Sequence, residues 1–202
     1  MQGREHFGLL RGLDATDGSA APRGRRIVRT LLRRGVKFDI ELVSIVGRDG
    51  TPLEREVVRH PGAVVIVPIL ATPQGPRLVL IENFRLSLEQ ELVELPAGTR
   101  VPGEDPAVCA VRELEEETGY HAGRVRHLTN WLTGPGMTDE VMECFVAEDL
   151  TFVGQHLEND EQIRTRLVAP KEALELVWQG LIRDAKTILA LLWAQRDGAL
   201  GV

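Results

Sequence analysis

The chain reads as an α/β fold, a mixed sheet with helices on both sides, preceded by a small N-terminal β region. Three observations lead there. Residues 63–70 form a short, continuously apolar run of the kind that makes a strand buried on both faces. Residues 105–119 carry complete helix punctuation, with Asp105 as N-cap, Pro106 at the first helical position and Gly119 at the left-handed position that closes the helix. Strand-like and helix-like segments then alternate to the C-terminus without a strict βαβ repeat.

In chain order, residues 1–22 mix Gly, Ala, Asp and Ser with little periodicity and read as a loosely packed lead-in. A basic run follows, Arg23, Arg25, Arg26, Arg29, Arg33 and Arg34, which as a class is more often a solvated face than a polyanion contact. In residues 37–46, Phe38, Ile40 and Leu42 alternate with Asp39 and Glu41, the two-residue period of a half-buried strand. Asp49-Gly50 tolerates positive φ, so residues 53–59 return as the second arm of a hairpin. A two-stranded hairpin is marginal alone and must pack on something. Residues 63–70 and 78–81 are the central strands, with Pro68 expected to end the first early. Beyond the helix, residues 141–147 and 163–168 are strand-like, and residues 170–179 and 184–196 are helices closed by Gly180 and Gly198. The division expected is residues 1–60 as extension and hairpin, and residues 61–202 as the main domain.

Composition narrows the function classes. With 202 residues, 43% of them hydrophobic, the chain can bury a sizeable core. A net charge of −6 argues against general nucleic-acid binding, which draws its affinity from clustered Lys and Arg. No run of eighteen apolar residues and no secretory leader is visible, so no membrane partner and a cytoplasmic location are expected. Cys109 and Cys144 do not make a disulfide framework. The five histidines show neither a Ser-His-Asp order nor a zinc-like cluster, and His60 is expected to order the turn before the central strand.

The helix beginning at Pro106 has two faces with different demands. Ala107, Ala110, Val111 and Leu114 recur as a core stripe. Glu113, Glu116 and Glu117 share another side, where like charges cost roughly 0.2–0.5 kcal/mol per pair. They also lie near the negative end of the helix dipole, which disfavours each by a further ~0.3–1 kcal/mol. Hard divalent cations, which prefer oxygen ligands, would compensate that charge. Arg112, four residues before Glu116, offers a second compensation. Taken alone, this stretch is equally compatible with an acidic, solvated helix.

The wider spacing is more specific. Gly98, five residues, Glu104, seven residues, then Arg112-Glu113-Leu114-Glu115-Glu116-Glu117-Thr118-Gly119-Tyr120 resembles the Nudix box, a glycine, loop and helix signature over twenty-three positions. Tyr120 alone departs, standing where a bulky aliphatic residue is usual. The resemblance implies a Nudix-type α/β/α sandwich, a bound divalent cation (Mg²⁺, with Mn²⁺ as a substitute), and attack of water on a phosphorus of a nucleoside diphosphate linked to another group. Residue by residue, Glu113, Glu116 and Glu117 match the metal-binding glutamates, Arg112 matches the arginine that orients them, and the Ala97 carbonyl matches a frequent backbone ligand. Glu104 matches the box glutamate with the more structural role.

Residues outside the box bear on the substrate. The segment Thr133-Gly134-Pro135-Gly136-Met137-Thr138-Asp139-Glu140 is similar to the proline-glycine loop of the ADP-ribose pyrophosphatase branch, with Pro135 fifteen residues past Tyr120. Further matches are His60-Pro61-Gly62-Ala63-Val64, Phe84-Arg85, Glu94-Leu95-Pro96-Ala97-Gly98 and Ile182-Arg183-Asp184-Ala185-Lys186-Thr187, so the resemblance covers roughly residues 38–193. It implies conversion of ADP-ribose to AMP and ribose 5-phosphate, with GDP-mannose or a UDP-sugar as the alternative substrate. Arg85 follows a buried strand, where it serves either a diphosphate or a strand-end salt bridge. Glu140 either touches the terminal ribose or caps a turn. Glu158, Asp160 and Glu161 resemble the family's late acidic loop, which supplies a further metal ligand or the base that activates water; Glu161 is the first choice and Glu158 the second.

Two other classes stand beside the enzyme. A ligand-sensing regulator would keep the fold and bind without turnover, but the full set of glutamates and the absence of a helix-turn-helix segment speak against it. A structural dimerisation module would use the N-terminal hairpin. In the resembling branch such a segment helps form a homodimer that can hold the substrate base between subunits. No N-terminal Trp is present for stacking, which leaves Phe38 or another aromatic, while Trp131, Trp178 and Trp193 read as packing residues.

Overall fold

The structure is a computed structural model and describes residues 27–157 and 162–202. The lead-in, Arg23, Arg25 and Arg26 lie outside the described residues, as do Glu158, Asp160 and Glu161. The described arginines of the basic run, Arg29, Arg33 and Arg34, are exposed as a solvated face would be.

The N-terminal part is a three-stranded antiparallel sheet, β1 (Val28–Arg33), β2 (Asp39–Val46) and β3 (Pro52–Arg59) in that spatial order. The expected hairpin is β2 with β3, turning at Gly50 with φ 84°. Strand β1, rich in arginine and exposed at all six positions, was not signalled by alternation and adds to the outer edge of β2. Three strands give the hairpin backbone partners that two lack.

The main body is a seven-stranded mixed sheet in the order β10-β5-β4-β9-β8, with β6 beside β5 and β7 beside β4. Its strands are β4 (Ala63–Leu70), β5 (Arg77–Arg85), β6 (Gln90–Glu94), β7 (Ala97–Thr99), β8 (Tyr120–Leu132), β9 (Val141–Phe152) and β10 (Ile163–Val168). Helix α1 (Pro106–Thr118) covers one face, where Val64, Ile66, Phe145 and Ala147 meet Ala110 and Leu114. Helices α2 (Pro170–Trp178) and α3 (Ala185–Asp197) cover the other, against Val65, Val67, Cys144 and Val146. Alternate residues of β4 therefore go to opposite cores, which is why its sequence is apolar throughout. Each fully buried Val, Leu or Ile contributes roughly 1.5–3 kcal/mol. Among the described residues no helix is long and apolar enough to cross a membrane.

The helix signals work as expected: the Asp105 carboxylate accepts from the Ala107 and Val108 N–H groups, and Gly119 and Gly198 close α1 and α3 with φ 75° and 86°. Three expectations are corrected, and one strand, β8, was not expected at all. Pro68 does not end β4, because pairing passes at that point from β9 on one side to Ile69 and Leu70 against β5 on the other. Strand β8 lacks a clean apolar period, since it is an edge strand with a bulge between His127 and Thr129, yet it pairs with β9 along its length. The buried stripe of α1 is rotated, so that Glu113 and Glu117 are buried with Ala110 and Leu114 while Val111 is only partly covered. Trp178 is 66% exposed and not a packing residue.

The feature that places the site is a split in the sheet. Strands β4 and β5 pair only at Ile69 with Leu78 and Leu70 with Arg77, then diverge, and β6 and β7 fill the gap. The chain crossing from β6 to β7 leaves the Leu95 N–H outside both ladders. It donates to the buried Thr187 hydroxyl at 2.8 Å, which itself donates to the Asp184 carboxylate at 2.6 Å. Thr187→Val should therefore leave a buried donor unmet and lower unfolding stability by about 1–3 kcal/mol. Thr187→Ser should stay close to wild type, as read from urea denaturation midpoints.

Candidate active site

Segment 94–98 is held from several sides. The Glu94 carboxylate, 1% exposed, accepts from Arg85 at 2.8 Å and 2.5 Å and from the Lys186 ammonium, which also pairs with Asp184 at 3.0 Å. A carboxylate this deep is tolerable only with such partners. The Glu94 contacts, with burial opposing, raise the Arg85 guanidinium above its ordinary value. Arg85 thus makes the strand-end salt bridge and at the same time lines a cavity. Next, the Pro96 carbonyl accepts from the Ile66 N–H at 2.9 Å, and the Ala97 N–H donates to Glu117 at 2.9 Å. At Gly98 a Cβ would fall 1.9 Å from the Glu113 carboxylate carbon, so only glycine lets that carboxylate lie against β7.

Helix α1 brings the charges to this point. Glu113 and Glu117 are 8% and 3% exposed, and Glu116 is half-buried. Arg112 grips Glu104 with two nitrogens at 3.0 Å and 3.1 Å, and its third reaches Glu113 and Glu116, each at 2.8 Å. The arginine thus gathers three carboxylates, one from the loop before the helix. Its hydrogen bonds, helped by the Val101 N–H and opposed by burial, hold the Glu104 carboxyl down at about 2. Among the described residues no three His, Cys, Asp or Glu side chains converge as one ligand set; Arg112 pairs with Glu113 and Glu116, and the Ala97 N–H donates to Glu117.

The cavity at the split has a volume of about 370 Å³, within the range of small-molecule sites. Arg85, Ala97, Gly98, Trp131, Glu140 and Lys186 line it. Of the residues singled out from the sequence, Arg85, Ala97 and Glu140 reach the cavity, with Glu113 and Glu117 lying behind Gly98 and Ala97. Pro135 is at the exposed crown of its loop and outside the lining. Glu140 accepts from the Thr133 hydroxyl at 2.5 Å across the loop's neck, so it closes the loop and also faces the cavity. Sequence reasoning missed Glu94, Lys186 and Trp131 as site residues. The matches around 94–98 and 182–187 marked the first two, but only folding shows that they meet. Phe38 is exposed just before β2.

A buried carboxylate pair against a glycine strand, an arginine tying the helix to its preceding loop and an adjoining cavity are the arrangement of a Nudix fold, and the NUDIX domain model matches residues 59–191. The chain belongs to the Nudix family. It is 35% identical over 178 residues to the ADP-ribose pyrophosphatase of Bacillus subtilis (strain 168), covering 87% of this chain and 95% of that protein. It is also 37% identical over 169 residues to the methanol dehydrogenase activator of Bacillus methanolicus, covering 83% and 89%. Among solved structures, an ADP compounds hydrolase shares the fold with a TM-score of 0.74 at 23% identity, covering 87% of this chain and 94% of that one.

The Glu104 carboxyl, ordinarily near 4.5, is held at about 2 by the folded protein, so its contribution to stability is complete above that ordinary value and lost as pH falls toward 2. Glu104→Gln should lower Tm at neutral pH, and the gap to wild type should close progressively over that acid window. Tm measured against pH by circular dichroism checks this.

Proposed function

We propose that this protein hydrolyses the diphosphate linkage of ADP-ribose to AMP and ribose 5-phosphate, with Mg²⁺ as its cation and Mn²⁺ able to substitute. The observation that carries the reading is the pair of buried carboxylates, Glu113 and Glu117, set against Gly98 and Ala97 beside a cavity lined by Arg85. The ADP-ribose pyrophosphatase relative supports the substrate, since the match spans nearly the whole of both chains.

The chemistry of the donors suits a hard divalent cation: carboxylate oxygens of Glu113, Glu116 and Glu117 and the Ala97 carbonyl would hold it, and the missing Cβ of Gly98 leaves room for the Glu113 carboxylate against β7. A cation there would neutralise diphosphate oxygens and lower the pKa of the attacking water. Arg112 orients Glu113 and Glu116, and its anchor on Glu104 keeps it in place as charge on the helix is redistributed. Arg85, held flat by Glu94, offers its remaining N–H groups to the diphosphate. Glu140 addresses the terminal ribose, and Pro135 shapes its loop. The proton of the attacking water goes to Glu161, with Glu158 as second choice, an assignment made from the sequence alone.

Glu113→Gln and Glu117→Gln should each lower kcat by roughly a hundredfold or more, the scale on which a charge-stabilising constellation loses one member. Neither should lower Tm, because the amide keeps an acceptor and removes a crowded charge. Glu161→Gln should lower kcat far more than it raises KM. The assay is turnover of a panel of ADP-ribose, GDP-mannose and UDP-sugars in Mg²⁺ or Mn²⁺ with product identification. Preference for GDP-mannose or a UDP-sugar would replace the substrate, and binding without turnover would make the protein a sensor.

The protein is further proposed to be a cytoplasmic homodimer assembled through its N-terminal sheet, on which Val28, Leu31, Leu32, Val46 and Leu53 are exposed, with Phe38 exposed just before β2. Cys109 and Cys144 are free, buried thiols, and their lack of a disulfide is consistent with a reducing compartment. Light scattering at micromolar concentration should give the mass of two chains; a monomer mass contradicts the dimer.

A further inference from the structure

Loop 133–140 has two sides. One faces the cavity through Thr133 and Glu140. The other is docked on the end of β3, where the Val58 N–H donates to the Met137 carbonyl at 2.9 Å and the Asp139 N–H donates to the Val58 carbonyl at 3.4 Å. This is a one-residue parallel bridge between Val58 and Thr138. Around it, the Asp139 carboxylate accepts from the Arg59 guanidinium at 2.9 Å and from the His60 N–H at 2.9 Å. Arg59 turns its Nε back to Glu41 on β2 at 2.7 Å. Burial opposes the charge on Arg59 most strongly, but its bonds to Glu41 and Asp139 outweigh that and hold the guanidinium above its ordinary value.

We infer that Arg59 and Asp139 are positioning residues for substrate recognition: together they clamp loop 133–140 to the N-terminal sheet and so set the cavity wall that carries Thr133 and Glu140. This rests on the reading of the cavity as the nucleoside-diphosphate-sugar site. Within the loop, Gly134 closes a turn by accepting from the Met137 and Thr138 N–H groups, both at 2.9 Å, and Thr133 closes the neck on Glu140. The loop is therefore internally braced, and its orientation relative to the cavity is decided where it meets β3. Apart from the single-residue bridge and the approach of the His60 imidazole to the Glu140 carboxylate at 3.7 Å, the hold is the Asp139 carboxylate. It joins two chain segments eighty residues apart, Arg59 and Asp139, with β2 as the third point through Glu41. The N-terminal sheet thereby takes part in substrate binding within one chain, independently of any second copy.

An ion pair between partly exposed groups is worth little when isolated, but here one carboxylate serves both a guanidinium and a backbone N–H. Asp139→Asn and Arg59→Gln should each raise KM about five- to tenfold while kcat stays within about twofold, the pattern of lost binding without lost chemistry. Arg59→Lys, which keeps the charge but cannot bridge Glu41 and Asp139 as a planar fork, should recover only part of the KM. The double variant Arg59→Gln, Asp139→Asn should be no worse than the poorer single one, because both remove one contact. Independently of activity, amide hydrogen exchange of the full-length protein should speed up in residues 133–140 in the single variants, with the α1 amides unchanged. Unaltered KM, kcat falling in parallel with kcat/KM, or unaltered exchange in 133–140 would each overturn the inference. Wild-type protein that turns over no member of the panel refutes the substrate reading instead, and the exchange measurement then still tests the clamp.

Discussion

Five residues in the middle of the sheet, Glu94 to Gly98, lie where two neighbouring strands stop pairing, and buried backbone cannot be left without partners. Their polar groups are met from three directions: the Leu95 N–H by Thr187 of α3, the Pro96 carbonyl by β4, and the Ala97 N–H by Glu117 of α1. Helices from opposite faces are thereby joined through a single short segment. The split could have been a weakness in the sheet. Because side chains complete its hydrogen bonds, it is instead an opening with rigid walls, and the cavity forms in it.

The same economy governs charge. Glu94 brings Arg85 and Lys186 together under the cavity, and Arg112 brings Glu104, Glu113 and Glu116 together beside it. Buried ion pairs of this kind add little net stability, since desolvation offsets most of the attraction. Their effect is to fix geometry. Arg112 prevents the crowded glutamates from pushing α1 away from β7, and the missing side chain at Gly98 lets Glu113 stay close to the strand. Of the first cluster, Arg85 and Lys186 line the opening itself. At the far wall, the Asp139 carboxylate applies the same device to a loop, linking it to the end of β3 through Arg59 and the His60 N–H.

What could be read before folding was everything carried by local chemistry. The ends of α1 were legible because Asp105, Pro106 and Gly119 act on their own turn of backbone, and β4 because a strand buried on both faces needs an apolar residue at every position. The box spacing marked Glu113, Glu116, Glu117 and Arg112 because helical periodicity alone brings them to neighbouring positions. Edge strands were harder. Strands β1 and β8 are chosen by a neighbour's free backbone groups, not by their own alternation, so arginine-rich and bulged sequences can occupy them.

Only the tertiary structure decided which distant groups meet. Glu94 and Lys186 are ninety-two residues apart and join at one carboxylate; Arg59 and Asp139 are eighty apart and join at another. Likewise, the choice between Arg85 as a salt-bridge partner and as a cavity residue resolves into both, because one face of the guanidinium meets Glu94 while the residue borders the opening. Trp131 borders the cavity while Trp178 is exposed, although both read alike along the chain. Sequence by itself determined the helix punctuation, the central strand and the acidic motif, since those depend on interactions within a few residues. The split sheet, the paired charges and the walls of the cavity depend on long-range closure, which local periodicity does not encode.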